Sequence, residues 1–216
     1  MDKKIGIIKK LGEEKLVAVI RAESEEQGFK IVEAVKKGGI KFLEVTLTVP
    51  GAVDIIRELV KRYKDEDVCI GAGTVLDPET ARIAILAGAA YIVSPCFCPE
   101  VMKMCNRYRV PVMPGVQTVR EVVQSLEMGA DVIKVFPGDA FSPSIIKSFK
   151  GPLPQGNFMP TGGVSLANVK DWLAAGAYAV GTGSSLTVGA KTGDYAAVEE
   201  EARKFVAEVA KYSYLT

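Results

Sequence analysis

Lys134 lies in the stretch DVIKVFPGD, residues 131–139, between Val132-Ile133 and Val135-Phe136. Lysine is among the residues least often buried, because an ammonium without a partner loses its hydration in an apolar setting. Inside what reads as a buried strand, it is either half of a structural ion pair or an amine kept for its reactivity. Glu44 in LEVTL and Arg21 in VIRA pose the same question in two other apolar runs. Desolvation and a nearby cation lower a lysine pKa and make neutral amine available as a nucleophile. A carboxylate in the same apolar space can exchange protons near neutral pH. Amine and carboxylate together supply what Schiff-base chemistry on a carbonyl compound requires. The plainer alternative is a structural Lys134–Glu44 pair, which is disfavoured because buried pairs seldom improve on apolar packing.

Composition narrows the chemistry further. The 216 residues contain no histidine, which excludes Ser-His-Asp and Cys-His sites and removes the commonest metal ligand. Acid/base work falls to carboxylates, lysines, tyrosines or cysteines. Lys plus Arg (27) nearly cancels Asp plus Glu (26), so no nucleic-acid partner is expected. Cys96 and Cys98 are spaced C-x-C, not the usual C-x2-4-C of a zinc site, and read with Cys105 as free thiols; Cys69, in VCIGAG, reads as a small core residue. No metal and no cofactor are expected. The N-terminus MDKKIGIIKKLGEEKL mixes both charges and lacks the apolar region of a signal peptide. The longest apolar run, IAILAGAAYIV, has 11 residues, well short of a membrane span. A cytoplasmic protein with no membrane partner is expected.

The elements that must position these residues follow from periodicity. Short β-branched runs are expected as strands at 16–22, 42–47, 68–74, 91–95, 111–115, 132–137, 158–163 and 177–183, beginning roughly every 20 to 26 residues. Helical patterns such as SEEQGFKIVEAVKKGG and SLANVKDWLAAGA lie between them. Ser24 and Asp77 are N-cap candidates, and Gly38, Gly88, Gly129 and Gly176 close helices. Eight β-α units without a long linker predict an α/β fold, a (β/α)8 TIM barrel forming a single domain over 1–216, with an extra N-terminal helix over 2–14. An open doubly wound sheet is the alternative, but GAGTVL stops short of the G-x-G-x-x-G fingerprint.

In such a barrel, strand residues alternate between interior and helix layer, and active sites form at the strands' C-terminal ends. Leu43, Val45 and Leu47 on one face leave Glu44 and Thr46 facing in. Ile133 and Val135 likewise leave Lys134 and Phe136 facing in. PTGG and GTGSS, at the ends of the last two expected strands, suit phosphate bound by backbone N–H groups and a helix N-terminus. Tight turns needing positive φ are the simpler account of the same glycines.

The ordered set LEVTL, GAGTV, VSP, PGV, KVFP, PTGGV and GTGSSL resembles the class I aldolases acting on 2-keto-3-deoxy-6-phosphogluconate and 4-hydroxy-2-oxoglutarate, from about residue 15 to 210. Each motif is weak alone; their order and spacing are specific. The resemblance implies that Lys134 is the Schiff-base lysine and Glu44 the acid/base. It implies that Thr74 lies near the pyruvyl group, that Phe136 and Pro95 form walls around the lysine, and that Gly162, Gly163, Gly183 and Ser184 bind phosphate. Thr161 resembles the phosphogluconate-type members. Some members carry an arginine for the substrate carboxylate at the position of Thr48; Arg21 is therefore the candidate carboxylate ligand here, an arginine fork suiting a bidentate contact.

The resemblance further implies a keto-acid phosphate substrate, a homotrimer, and cleavage to pyruvate and glyceraldehyde 3-phosphate, with possible action on 4-hydroxy-2-oxoglutarate. The alternatives are a phosphogalactonate aldolase, a phosphate-binding barrel isomerase or epimerase, and a non-catalytic scaffold. Only the aldolases need a lysine in the sixth expected strand.

Overall fold

The computed structural model describes residues 3–212. Its strands are β1 (Leu16–Ile20), β2 (Phe42–Thr46), β3 (Cys69–Gly73), β4 (Ile92–Val93), β5 (Val112–Met113), β6 (Gly115–Val116), β7 (Ile133–Val135), β8 (Phe158–Pro160) and β9 (Val180–Thr182). The helices are α1 (Lys3–Glu14), α2 (Glu25–Lys37), α3 (Ala52–Arg62), α4 (Pro78–Leu86), α5 (Pro99–Arg107), α6 (Val119–Glu127), α7 (Ser144–Lys150), α8 (Val169–Ala174) and α9 (Tyr195–Ala210). Six strands pair in the order β5-β4-β3-β2-β1-β9 and three in the order β6-β7-β8. The pairings are parallel, and a parallel bridge between Thr161 and Gly181 joins the end of β8 to β9. The result is an α/β fold with a curled parallel sheet, in which helices make the crossovers that parallel strands require.

The fifth expected strand differs from expectation. PVMPG divides at Pro114 into β5 and β6, because proline has no N–H to donate to a ladder. Its carbonyl still accepts from the Lys134 N–H at 2.9 Å, tying β7 to the break.

Alternation along the strands sorts side chains into two apolar clusters. Leu43, Val45, Ile133 and Val135 join the larger one with the helices. Val17, Phe42, Tyr91, Met113, Val132, Met159 and Ala179 form a second cluster inside the curl, together with Ile7 and Leu11 of α1. The N-terminal helix, expected over 2–14, therefore packs its apolar face beneath the sheet's N-terminal end; Asp2 lies outside the described residues. Glu44 and Lys134, each flanked by residues of the outer cluster, face inward.

Local chemistry explains the helix ends. Ser24 and Asp77 cap α2 and α4, accepting from the N–H groups of Gln27 and Thr80. Gly38 ends α2 in a right-handed conformation, and the left-handed turn falls one residue later, at Gly39 with φ 100°. SLANVKDWLAAGA is helical only from Val169. Asn168 spends its amide on the preceding loop, accepting from Ser165 N–H and donating to the Gly163 carbonyl, which competes with helix formation. At α6, Thr118 and Glu121 form a reciprocal capping box. Thr118→Ala should cost about 1 kcal/mol, read as a lower urea midpoint with an unchanged slope.

Candidate active site

Lys134 and Glu44 are brought together from β7 and β2, with the amine 3.9 Å from Oε1 and side-chain exposures of 4% and 1%. Among the described residues, neither Glu44 oxygen has a hydrogen-bond partner. A pair kept for structure would close to about 2.8 Å and use both oxygens. The open geometry instead leaves two acceptors and an amine facing a shared space. Burial holds the Lys134 pKa below the usual lysine range; the Glu44 charge opposes that shift and the Arg21 charge adds to it. The Phe136 ring lies 4.8 Å from the ammonium and forms a half-buried wall.

Small residues make the space. A Cβ at Gly73 would overlap Oε1 and Cδ of Glu44, and one at Gly115, the register partner of Lys134, would overlap the Pro95 backbone. Beneath the pair, the fully buried Tyr91 ring occupies the position a Gly71 side chain would need. Reading polar interruptions of strands did not find these glycines. The signal available was glycine inside a strand, which marks close approach by another group. Gly73→Ala should displace the Glu44 carboxylate while leaving the circular dichroism spectrum intact. A misplacement of about 1 Å can cost 10²-fold, so a kcat fall of about that size is expected.

The remaining candidates surround the strand ends. Thr161 is buried, and its Oγ1 is a further side-chain atom without a partner. Thr74, half-buried after β3, holds φ 60°, a left-handed conformation that is strained for a β-branched residue. Pro95 is half-buried after β4. Gly162 and Gly163 both have positive φ (94° and 68°), so their turn does require glycine. No helix starts at Ser184; Gly183–Thr187 is a turn in which the Thr187 N–H and hydroxyl both donate to the Gly183 carbonyl.

Arg21 lies just beyond β1 and is exposed, and Thr48 is also exposed. The Arg21 guanidinium is 3.6 Å from where a Gly183 Cβ would sit. It shares a cavity of about 540 Å³ with Ser184 and with Thr187, a residue the sequence reading passed over. Thr46, by contrast, has its hydroxyl committed to the Ile20 carbonyl. Cys105 is buried, its thiol pushed up to about 12, while Cys96 is exposed. Among the described residues, no cluster of three metal-ligating side chains occurs, and no helix is long and apolar enough to cross a membrane.

A parallel α/β chain with a desolvated amine facing a carboxylate that accepts no hydrogen bond, both within the strands, fits the class of enzymes that work on carbonyl compounds through a lysine. Comparison with known proteins specifies that class. The family described as KDPG and KHG aldolase matches residues 7–201. A 2-dehydro-3-deoxy-phosphogluconate aldolase of Haemophilus influenzae is 37% identical over 169 residues, 78% of this chain and 79% of the relative. A 2-dehydro-3-deoxy-6-phosphogalactonate aldolase of Escherichia coli is 36% identical over 172 residues, covering 79% and 83%. The crystal structure of a KDPG aldolase of Legionella pneumophila, with pyruvate captured as a covalent carbinolamine, superposes with a TM-score of 0.82 at 31% identity, over 89% of this chain and 94% of that one. The chain belongs to the KDPG and KHG aldolase family.

Proposed function

We propose that this chain cleaves 2-keto-3-deoxy-6-phosphogluconate to pyruvate and glyceraldehyde 3-phosphate, and also splits 4-hydroxy-2-oxoglutarate to pyruvate and glyoxylate. The observation that carries the reading is the open, buried Lys134–Glu44 pair. Neutral Lys134 attacks the C2 ketone, and Glu44 passes protons as the carbinolamine loses water. The iminium then accepts the electron pair of the breaking C3–C4 bond, giving a neutral enamine instead of a carbanion. Glu44 takes the C4 hydroxyl proton in that step and returns a proton to C3. Hydrolysis releases pyruvate and regenerates the amine.

Thr74 and Thr161 face the pyruvyl portion in this reading, with Pro95 and Phe136 as walls. The Gly162, Gly163, Gly183 and Ser184 backbone and hydroxyl receive the phosphate. Arg21 is an anion ligand, and its place beside Gly183 and Ser184 favours the phosphate over the carboxylate first expected for it. Pyruvate carries the carboxylate and no phosphate, so it separates the two. Arg21→Met should leave borohydride trapping of pyruvate unchanged and raise KM for the phosphorylated substrate by roughly 10- to 150-fold, corresponding to about 1.5–3 kcal/mol for a hydrogen bond to a charged group. Loss of pyruvate trapping would return Arg21 to the carboxylate.

The two sheets read as one closed (β/α)8 barrel in a single domain, with β5 and β6 as the halves of one strand. The bridge from Thr161 to Gly181 and the pairing of β6 with β7 support closure. A cytoplasmic homotrimer is likewise part of the proposal. Leu76, Ile83 and Leu86, each at least half exposed on or just before α4, support an interface with a second copy.

The phosphogalactonate reading has the Escherichia coli relative in its favour. Pyruvate release measured on the phosphogluconate, phosphogalactonate and hydroxyoxoglutarate substrates decides. Highest kcat/KM on phosphogluconate is expected, a higher value on phosphogalactonate reassigns the enzyme, and release from none of them defeats the aldolase reading.

A further inference from the structure

At the end of the molecule opposite Lys134 lies a cavity of about 650 Å³, lined by both Lys15 and Lys150. Lys15 immediately precedes β1, and Lys150 ends α7 ahead of β8, so the cavity opens at the strands' N-terminal ends. At about 3.3 Å per residue, β1 alone separates it from the Arg21 end by roughly 16 Å. It is too far away to serve the same substrate molecule.

Lys15 is only 4% exposed and has no carboxylate partner among the described residues. Nor has Lys150. Other lysines of the same face are paired: Lys4 with Asp131 at 2.7 Å, Lys10 with Asp67 at 2.6 Å, and Lys41 with Glu14 at 2.7 Å. Among the described residues, the polar groups that line the cavity beside them, Asn157, Tyr178 and Tyr212, carry no full negative charge. The Tyr178 ring centroid is 6.0 Å from the Lys15 ammonium, the outer limit of a cation–π contact. The Lys150 amine lies 3.7 Å from a Cβ placed at Gly176, beside the C-terminal turn of α8. Burial and the Lys150 charge both depress the Lys15 pKa, the response of a cation that lacks a counter-charge.

We propose that this cavity is a second ligand site, binding a small phosphate monoester between Lys15 and Lys150. A phosphate monoester carries close to two negative charges at neutral pH, which matches two ammonium groups on one cavity wall acting as point charges. Leu173, Ala177 and Tyr178 offer an apolar wall to the carbon chain, and the volume suits a metabolite-sized ligand.

The test is a site-resolved titration of the 15N-labelled chain with glycerol 3-phosphate, with sodium chloride at matched ionic strength as control. Saturable shifts of the Gly176, Ala177 and Tyr178 amides are expected, at a concentration independent of any response at Gly183 and Ser184. Lys150→Met should weaken the 176–178 response at least tenfold, Lys15→Met should do the same, and Lys150→Arg should retain it. Three outcomes overturn the proposal: no saturable response at 176–178, an equal response to chloride, or undiminished binding in Lys150→Met with its spectrum otherwise native. Saturation by succinate but not by glycerol 3-phosphate would overturn the phosphate assignment in favour of a dicarboxylate.

Discussion

Lys134→Ala is expected to lower kcat/KM for pyruvate release by at least about 10⁴-fold, or roughly 5 kcal/mol of transition-state stabilisation at 1.36 kcal/mol per decade. The size follows from what the amine does. Without it there is no iminium, and the electrons of the breaking C3–C4 bond have no sink. Pyruvate with borohydride should add mass irreversibly to the wild-type chain at Lys134 and to the variant nowhere. Equal trapping in the variant would show that another amine is the nucleophile. Neither pyruvate release nor trapping in the wild-type chain would favour an isomerase or epimerase reading, which needs no lysine there.

The pH profile offers a further check. Because burial lowers the Lys134 pKa, the neutral amine accumulates at a pH below that of an ordinary lysine. The acid limb of kcat/KM should therefore rise with pH and level off below pH 10.5, the unshifted value.

Glu44→Gln should cost 10²- to 10⁴-fold in kcat, the range for a positioned general acid/base. Its signature distinguishes it from lost structure. The Glu44 charge opposes the depression of the Lys134 pKa, so removing it lowers that pKa further. The acid limb should move to lower pH while turnover collapses. Pyruvate trapping should persist at a slower rate, since the nucleophile remains. Unchanged kcat, or an acid limb that moves upward, would remove Glu44 from the proton path. Glutamine keeps the shape of the side chain, and two unpaired oxygens mean that no existing hydrogen bond is lost.

Much of this site could be read before any coordinates. Alternation placed Glu44 and Lys134 inward because Leu43, Val45, Ile133 and Val135 belong so clearly to a helix-facing layer. Periodicity also found the α1 segment and the N-caps at Ser24 and Asp77. What stayed hidden depended on neighbours remote in the chain. Gly73 entered the sequence reading only within GAGTVL, a stretch short of the dinucleotide fingerprint, and only pairing with β2 reveals that its missing Cβ houses the Glu44 carboxylate. The left-handed Thr74 carries no local marker, since threonine is a poor residue for that conformation. Arg21 reads as a strand residue, yet β1 ends at Ile20 and the guanidinium turns toward Gly183. Pro114 was visible as a proline, but its break falls between two strands that pair in different sheets.

The packing of α1 beneath the inner cluster has a kinetic meaning. Ile7 and Leu11, together with Phe42 and Tyr91, fill the curl from below, so in the closed barrel proposed above a substrate reaches Lys134 only from the strands' C-terminal side. A vessel with one mouth imposes a sequence on its traffic. In the proposed reaction the three-carbon fragment bonded to Lys134 sits deepest, and the phosphorylated aldehyde lies between it and solvent. Cleavage must then release the aldehyde first and pyruvate last, and synthesis in the reverse direction must load pyruvate before aldehyde. Product inhibition by pyruvate should accordingly be competitive with the six-carbon substrate, and inhibition by the aldehyde noncompetitive.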